Sequence, residues 1–344
     1  MSMSLAVKYR PHSFSDLTEQ KEVVAILTNQ IETNTIQHGY LFCGGAGTGK
    51  TTSARIFASM INNGQGTPIE LDAASNNSVD DIRRLTDDAQ TQSLDSEYKV
   101  YIIDECHSLS SQAWQAMLKT LEEPPAKSIF IFCTTNPEKI PNTILSRVQR
   151  YNFRRISHDG IVKRLEYILV KEQYAVEGYT TDYAMSLDYI AKVADGGMRD
   201  AITLLDKCLS YTTELTMQNV LDALGVADYD TMFLLNETLL DHNAEETIKL
   251  INYVFNSGVD LKLFIKMYFE FVLDCRVYHL TKNMSNTKIP QTRKSKLDAY
   301  SSQAWIEMKK LNSLLVDLVN EIKWETNPKS LVIARFILFC EGDE

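Results

Sequence analysis

The sequence has no pair of cysteines in C-x-x-C spacing, no uncharged apolar run approaching eighteen residues, no apolar stretch at its N-terminus, no internal repeat and no excess of positive charge. Each absence excludes something. The six cysteines (Cys43, Cys106, Cys133, Cys208, Cys275 and Cys340) lie far apart and mostly inside apolar runs, the pattern of reduced, buried small hydrophobes rather than of a disulfide framework. Cys106-His107 is the one Cys/His neighbour pair, and it falls short of a four-ligand set, so no zinc is expected. With neither a bilayer-length apolar run nor a signal-type N-terminus, the chain is expected to be cytoplasmic and to have no membrane partner. A net charge of −10 argues against coating nucleic acid through overall charge, while leaving room for a local basic lining.

What is present is globular and segmented. Hydrophobic content of 44% with 23% charged residues is that of a soluble folded chain, and 344 residues are too many for one ordinary core, so two or three domains are expected. Up to about residue 155, helical and strand-like segments alternate as in a parallel α/β sheet. The spacing predicts helices over Lys21 to Ile36, Thr52 to Ile61, Val79 to Gln90 (capped by Ser78 or Asp80) and Ser111 to Glu123, the last stopped by Pro124-Pro125. It predicts strands at Tyr40 to Cys43, Ile69 to Leu71, Val100 to Ile103 and Ile129 to Cys133; those apolar on both faces belong in the middle of a covered sheet. From Ser157 the β signals fade. Gly160 to Glu172, Thr181 to Asp195, Arg199 to Leu209 and Thr216 to Leu224 read as helices, with a second boundary near Gly225 to Asp230. Beyond it, Met232 to Leu240, Thr247 to Phe255, Leu261 to Leu280, Ala299 to Lys323 and Lys329 to Cys340 continue the helical spacing, interrupted by the basic stretch Thr281 to Lys296. The expected division is an α/β domain over 1–156, a small helical domain over 157–225 and an all-α domain over 226–344.

The most informative segment is Gly44-Gly45-Ala46-Gly47-Thr48-Gly49-Lys50-Thr51, directly after the first strand. It fits G-x-x-x-x-G-K-[ST], in which glycines let successive backbone N–H groups close round a triphosphate, the lysine reaches the β/γ-phosphates and the hydroxyl ligates Mg²⁺. Gly45, Gly47, Thr48, Gly49, Lys50, Thr51 and Thr52 are therefore candidate ligands of ATP or GTP. A second constellation ends the strand Val100 to Ile103 in Asp104-Glu105; a parallel sheet presents ligands at the carboxyl ends of its strands, so Asp104 is placed to hold Mg²⁺ and Glu105 to activate a water. A third, Thr134-Thr135-Asn136-Pro137, puts a hydroxyl at the next strand end, where it can meet a γ-phosphate or the attacking water. Ser146-Arg147 and Gly197-Met198-Arg199-Asp200 each offer an arginine, although spacing alone does not single these two out. These residues by themselves carry the reading as far as a multi-domain P-loop ATPase.

In order along the chain stand Lys8-Tyr9-Arg10-Pro11, the phosphate loop, Asp72-Ala73-Ala74-Ser75, Ile103-Asp104-Glu105, Leu118-Lys119-Thr120-Leu121-Glu122-Glu123-Pro124-Pro125, Thr134-Thr135-Asn136-Pro137, Ile144-Leu145-Ser146-Arg147 and Gly197-Met198-Arg199-Asp200-Ala201. This series resembles the AAA+ ATPase of bacterial-type sliding-clamp loaders, the DNA polymerase III γ/τ family, over about residues 5–210. The resemblance implies a RecA-like parallel-sheet domain, a helical lid and an α-helical collar through which copies assemble. It makes Lys50 and Thr51 the phosphate and Mg²⁺ ligands, Asp104 the Walker B metal residue, Glu105 the catalytic base, Thr135 the first sensor and Arg199 the second. Arg10 falls on the segment that lies against the nucleotide, and Arg147 on the finger that reaches a neighbouring subunit's ATP. Asn76, Asn77 and Arg83 fall on the DNA-facing segment, where relatives tend to be more basic. The implied partners are a sliding clamp, primer–template DNA, further copies of the chain and other clamp-loader subunits in a pentamer-like spiral. Relatives usually carry a four-cysteine zinc module after the phosphate-loop helix; here Met60 to Gly66 runs straight towards the next strand, as expected of a compact short form suited to a bacteriophage or small-genome replisome. Two alternatives stay open: another AAA+ DNA motor, for branch migration or helicase loading, and a non-hydrolysing stator of the same complex.

Overall fold

The computed structural model describes residues 3–174, 181–212, 214–224, 229–257, 259–287, 289 and 291–342. It divides into two compact units, Met1–Val176 with Ile190–Asp206, and Glu177–Tyr189 with Lys207–Glu344.

The first unit is built on a parallel sheet of β1 (Gly39–Cys43), β2 (Ile69–Asp72), β3 (Lys99–Asp104), β4 (Ser128–Thr134) and β5 (Gln149–Asn152), in the order β2-β3-β4-β1-β5. β1 and β4 are buried along their whole length, and β3 is buried from Val100 to Ile103. Because side chains alternate across a pleat, Leu41, Tyr101, Ile103, Phe130 and Phe132 enter one core, shared with helices Val79–Ala89 and Ser111–Glu122. Tyr40, Phe42, Val100, Ile102, Ile129 and Ile131 enter the other, shared with helices Lys21–Glu32 and Lys50–Ile61. The result is a three-layer α/β/α sandwich with the sheet covered on both faces, as continuous apolar strands require.

Several element ends differ from the sequence expectation for local reasons. The helix expected to reach Ile36 stops at Glu32, because the Thr33 hydroxyl donates to the Asn29 carbonyl and Asn34 turns left-handed at φ 52°. The helix expected from Ala299 starts at Ser302, because Ser301 accepts the Ala304 N–H and caps it there. The capping residue of Val79–Ala89 is Ser78, whose hydroxyl accepts the Asp81 N–H. β5 carries no sequence signal: of Gln149 to Asn152 only Tyr151 is buried, and the strand is defined by its pairing with β1.

The second unit is helical. Its core joins Phe233 and Leu235 (helix Tyr229–Leu240), Ile251 (Ala244–Asn256), Phe264, Tyr268 and Val272 (Leu261–Thr281), Leu311, Leu315 and Leu318 (Ser302–Glu321), and Phe336 (Pro328–Glu341). The basic stretch expected to interrupt these helices forms short turns at Met284–Asn286 and Gln291–Arg293 and a helix at Lys294–Asp298. The boundary expected near Gly225 falls mostly on residues 225–228, outside the described residues.

Candidate nucleotide site

The carboxyl ends of β1, β3 and β4 come together, and each carries one of the constellations expected from the sequence. After β1 the loop bends through Gly44, Gly47 (φ 69°) and Gly49 (φ 98°), the last two in the left-handed region where a side chain is strained. A Cβ on Gly44 would lie 2.4 Å from the Phe153 carbonyl oxygen, and one on Gly47 would lie 3.0 Å from the Gly197 Cα. The loop is therefore closed on one side by the chain leaving β5 and on another by the start of helix Met198–Tyr211, whose Met198 N–H donates to the Gly47 carbonyl at 3.0 Å.

Lys50, 6% exposed, turns its ammonium back to the Gly44 and Gly45 carbonyls at 2.9 and 2.8 Å. An ammonium has three protons and these are two neutral acceptors, so a buried positive charge is left without a carboxylate among the described residues, the condition an incoming phosphate would satisfy. The Thr48 hydroxyl donates to the Gly45 carbonyl at 2.9 Å and holds the loop's curvature. Thr51 and Thr52 lie in the first turn of Lys50–Ile61, whose N-terminal N–H groups and dipole face the loop. Thr51 Oγ1 donates to Asp104 Oδ2 at 2.7 Å, bringing β1's helix and the end of β3 into one oxygen-rich corner. A hydroxyl and a carboxylate are hard oxygen donors, the chemistry that Mg²⁺ selects.

Glu105 follows in the left-handed conformation (φ 45°, ψ 42°), its N–H bonded to Asp104 Oδ1 at 3.0 Å. This turn swings its side chain to the end of β4, where Thr135 Oγ1 donates to Glu105 Oε2 at 3.0 Å. His107 joins them, with Nδ1 3.2 Å from both Glu105 Oε2 and Thr134 Oγ1. In sequence His107 stands out only as the neighbour of Cys106, a pair short of a metal site; its position three residues after Asp104 is the signal that links it to this corner.

Arg10 is half-buried, and burial followed by the neighbouring guanidinium groups of Arg55 and Arg199 lowers its pKa. Three arginines thus share one region with Glu70, which Arg55 grips through both carboxylate oxygens at 2.6 and 2.5 Å. Arg55 and Glu70 had no sequence signal, because only the fold brings the helix after β1 over edge strand β2. Gln20 is another such residue: buried, it bonds the Thr48 carbonyl and both the N–H and C=O of Arg154, tying the loop to the chain after β5. The segment bearing Arg10 is anchored by Tyr9 and Lys8 on Glu172, and by Arg164 on the Tyr9 carbonyl at 3.0 Å.

Arg147 is not in this cluster. It bonds Glu122 Oε1 at 2.6 Å, the Thr143 carbonyl at 2.6 Å and Ser146 Oγ at 3.0 Å, and it is exposed. Its carbonyl lies 3.2 Å from where a Gly39 Cβ would sit, at the start of β1, whereas the phosphate loop follows the end of that strand. Five strand residues separate the two ends by about 16 Å. Asn76, Asn77 and Arg83 are exposed around the start of Val79–Ala89, with Asn76 bonded to the Asp72 carbonyl and Arg83 3.6 Å from Asp80. Asp80, Asp81, Asp87 and Asp88 on the same helix outnumber Arg83 and Arg84.

Residues 68–157 match the family described as DNA polymerase III, delta subunit, and residues 160–214 that described as DNA polymerase III clamp loader subunit, ATPase lid domain. DNA polymerase III subunit gamma of Buchnera aphidicola is 33% identical, the alignment covering 82% of this chain and 81% of that protein. The chain belongs to the DNA polymerase III γ/τ family. The γ/τ relative of Bacillus subtilis, DNA polymerase III subunit tau, is 36% identical over 97% of this chain, which spans 62% of that protein; the tau subunit of Escherichia coli is 36% identical over 74% of this chain, which spans 42% of it. The RuvB Holliday junction branch migration motor of Thermotoga maritima superposes with a TM-score of 0.52 at 18% identity, covering 67% of this chain and 79% of that one, a likeness of fold. The γ/τ-family chain therefore has a P-loop AAA+ fold, with a lid segment matched over 160–214 and a mostly helical remainder. Among the described residues no helix is long and apolar enough to cross a membrane.

Proposed function

We propose that this chain is the ATPase motor subunit of a DNA-replication clamp loader, acting in the cytoplasm. It binds ATP at the interfaces between subunits, opens a sliding clamp and loads it on primer–template DNA, whose entry stimulates hydrolysis. The reading divides the chain into a nucleotide-binding domain over 1–156, a lid over 157–225 and a collar over 226–344 that assembles it with further copies and other loader subunits.

The observation that carries it is the bond from Thr51 to Asp104, with Glu105 alongside, beneath a loop that holds a buried ammonium with no carboxylate paired to it among the described residues. In this reading Lys50 binds the β/γ-phosphates, the loop's backbone and Thr52 cradle the chain of phosphates, and Arg10 and Arg199 supply further positive charge from the N-terminal segment and the lid. Thr51 and Asp104 would hold Mg²⁺, which when bound neutralises phosphate charge. Glu105 takes a proton from the attacking water, and Thr135 orients the Glu105 carboxylate through its hydrogen bond. Arg147, at the far end of β1, is too distant for its own loop and serves a neighbour's ATP. That divided site links hydrolysis to assembly: ATP joins subunits, and its cleavage releases them.

ATP turnover measured with a sliding clamp and primed DNA tests the reading. DNA-stimulated hydrolysis together with ATP-dependent clamp binding is the expected result. Hydrolysis without clamp binding points instead to another DNA motor, and ATP binding without hydrolysis to a stator.

A further inference from the structure

His107 is not a ligand in the reading above, yet it lies against both Glu105 and the end of β4. Its ring is largely covered, with 15% of the side chain exposed, and Nδ1 sits 3.2 Å from Glu105 Oε2 and 3.2 Å from Thr134 Oγ1. The donor inventory decides where the proton lies. Thr134 Oγ1 already accepts the Asn136 N–H at 3.0 Å and has one proton of its own to give. Glu105 Oε2 also accepts from Thr135, and an ionised carboxylate has no proton to return. A bare Nδ1 lone pair 3.2 Å from that oxygen would be repelled, whereas an Nδ1–H is attracted to it. The carboxylate therefore selects the Nδ1–H tautomer, as carboxylates beside histidines do elsewhere.

Resting on the ATPase reading, we propose that His107 is a positioning residue for Glu105. Its Nδ1–H lies against Oε2 while the Thr135 hydroxyl donates to the same oxygen, and together they hold the carboxylate that takes the proton. Two donors are needed because Glu105 sits on a left-handed turn: the backbone sets where the side chain starts and leaves its own torsions free. His107 also ties that carboxylate to Thr134 and hence to the Thr134–Asn136 turn, so a shift of this turn moves the base.

The tests are His107→Ala, His107→Asn and His107→Gln in the full chain, assayed for steady-state ATP hydrolysis with primed DNA and clamp, and for binding of a fluorescent ATP analogue. Asparagine places its amide nitrogen where Nδ1 stands, and glutamine places its own where Nε2 stands. For His107→Ala a loss in kcat of about tenfold to 100-fold is expected, with KM and the analogue's Kd within about twofold of wild type. His107→Asn should recover most of the loss and His107→Gln should not. Wild-type kcat in His107→Ala, an equal loss in His107→Asn, or parallel loss of analogue binding would each overturn the proposal. Absence of hydrolysis by the wild-type protein would instead refute the ATPase reading on which it stands.

Discussion

The α/β unit and the helical unit use their residues in opposite ways. In the first, positions at three strand ends are set one by one: Gly47 by its backbone angle, Lys50 by two carbonyls, Asp104 by a hydroxyl and Glu105 by two neighbours. In the second, what matters is that Phe233, Phe264, Leu311, Leu315 and Phe336 fill a common core, and the polar features inside it, such as Asn236 bonded to both Tyr268 and Tyr300, satisfy one another. Chemistry constrains identity, whereas packing constrains volume and hydrophobicity. Substitutions in the first unit should therefore change turnover far more than stability, and those in the second the reverse.

Arg147→Ala is the severest test of that contrast, because an exposed residue should matter little to folding. Loss of DNA-stimulated turnover by about 10³-fold or more is expected, with ATP affinity and melting temperature retained. Normal turnover would remove the shared site. Phe336→Ala probes the other side: it should cost about 3–5 kcal/mol in denaturant unfolding, while ATP affinity measured well below the transition is unchanged. A matching loss of ATP affinity would mean that the two regions do not divide their labour. Lys50→Ala should lower turnover by about 10²–10³-fold and abolish ATP-dependent clamp loading with little change in stability.

Gly47→Ala sharpens the comparison at a place where backbone, not side chain, is set. The left-handed angle and the 3.0 Å approach to Gly197 predict a penalty of about 1–3 kcal/mol, read as weaker ATP binding in a titration. The smallest effect concerns the anchor of the N-terminal segment. Lys8 first, and Tyr9 next, hold the Glu172 carboxyl below the usual carboxylate range, and burial pushes the Tyr9 phenol up to about 12, so it stays a donor. A depressed folded-state pKa adds stability that is present above the unfolded value and is lost as pH falls through the folded one. Glu172→Gln should thus lower the melting temperature slightly at neutral pH, and the difference from wild type should vanish on acidification below the ordinary glutamate range.

Legibility followed the same division. The phosphate loop and Asp104-Glu105 were readable because each is contiguous and follows an apolar strand, so local order carries the spatial information. β5 was not, since an edge strand with one buried side chain has no hydrophobic pattern to display. His107, Arg55, Glu70 and Gln20 are ordinary residues one at a time and acquire a role only through partners up to 134 residues away. Arg147 and Arg199 were named through the family resemblance, and no spacing argument would have found them.

By itself the sequence determined the alternation of strands and helices, the covered character of the sheet, the loop that accepts a phosphate chain and the helical nature of the remainder, because these follow from periodicity, glycine placement and caps acting over a few residues. Only the tertiary structure decided which strand ends meet, that Thr51 and Asp104 share a corner, that His107 and Thr135 both lie against Glu105, and that Arg147 bonds Glu122 near the start of β1, the opposite end of that strand from the loop. Strand order is set by long-range packing, and no local signal encodes it.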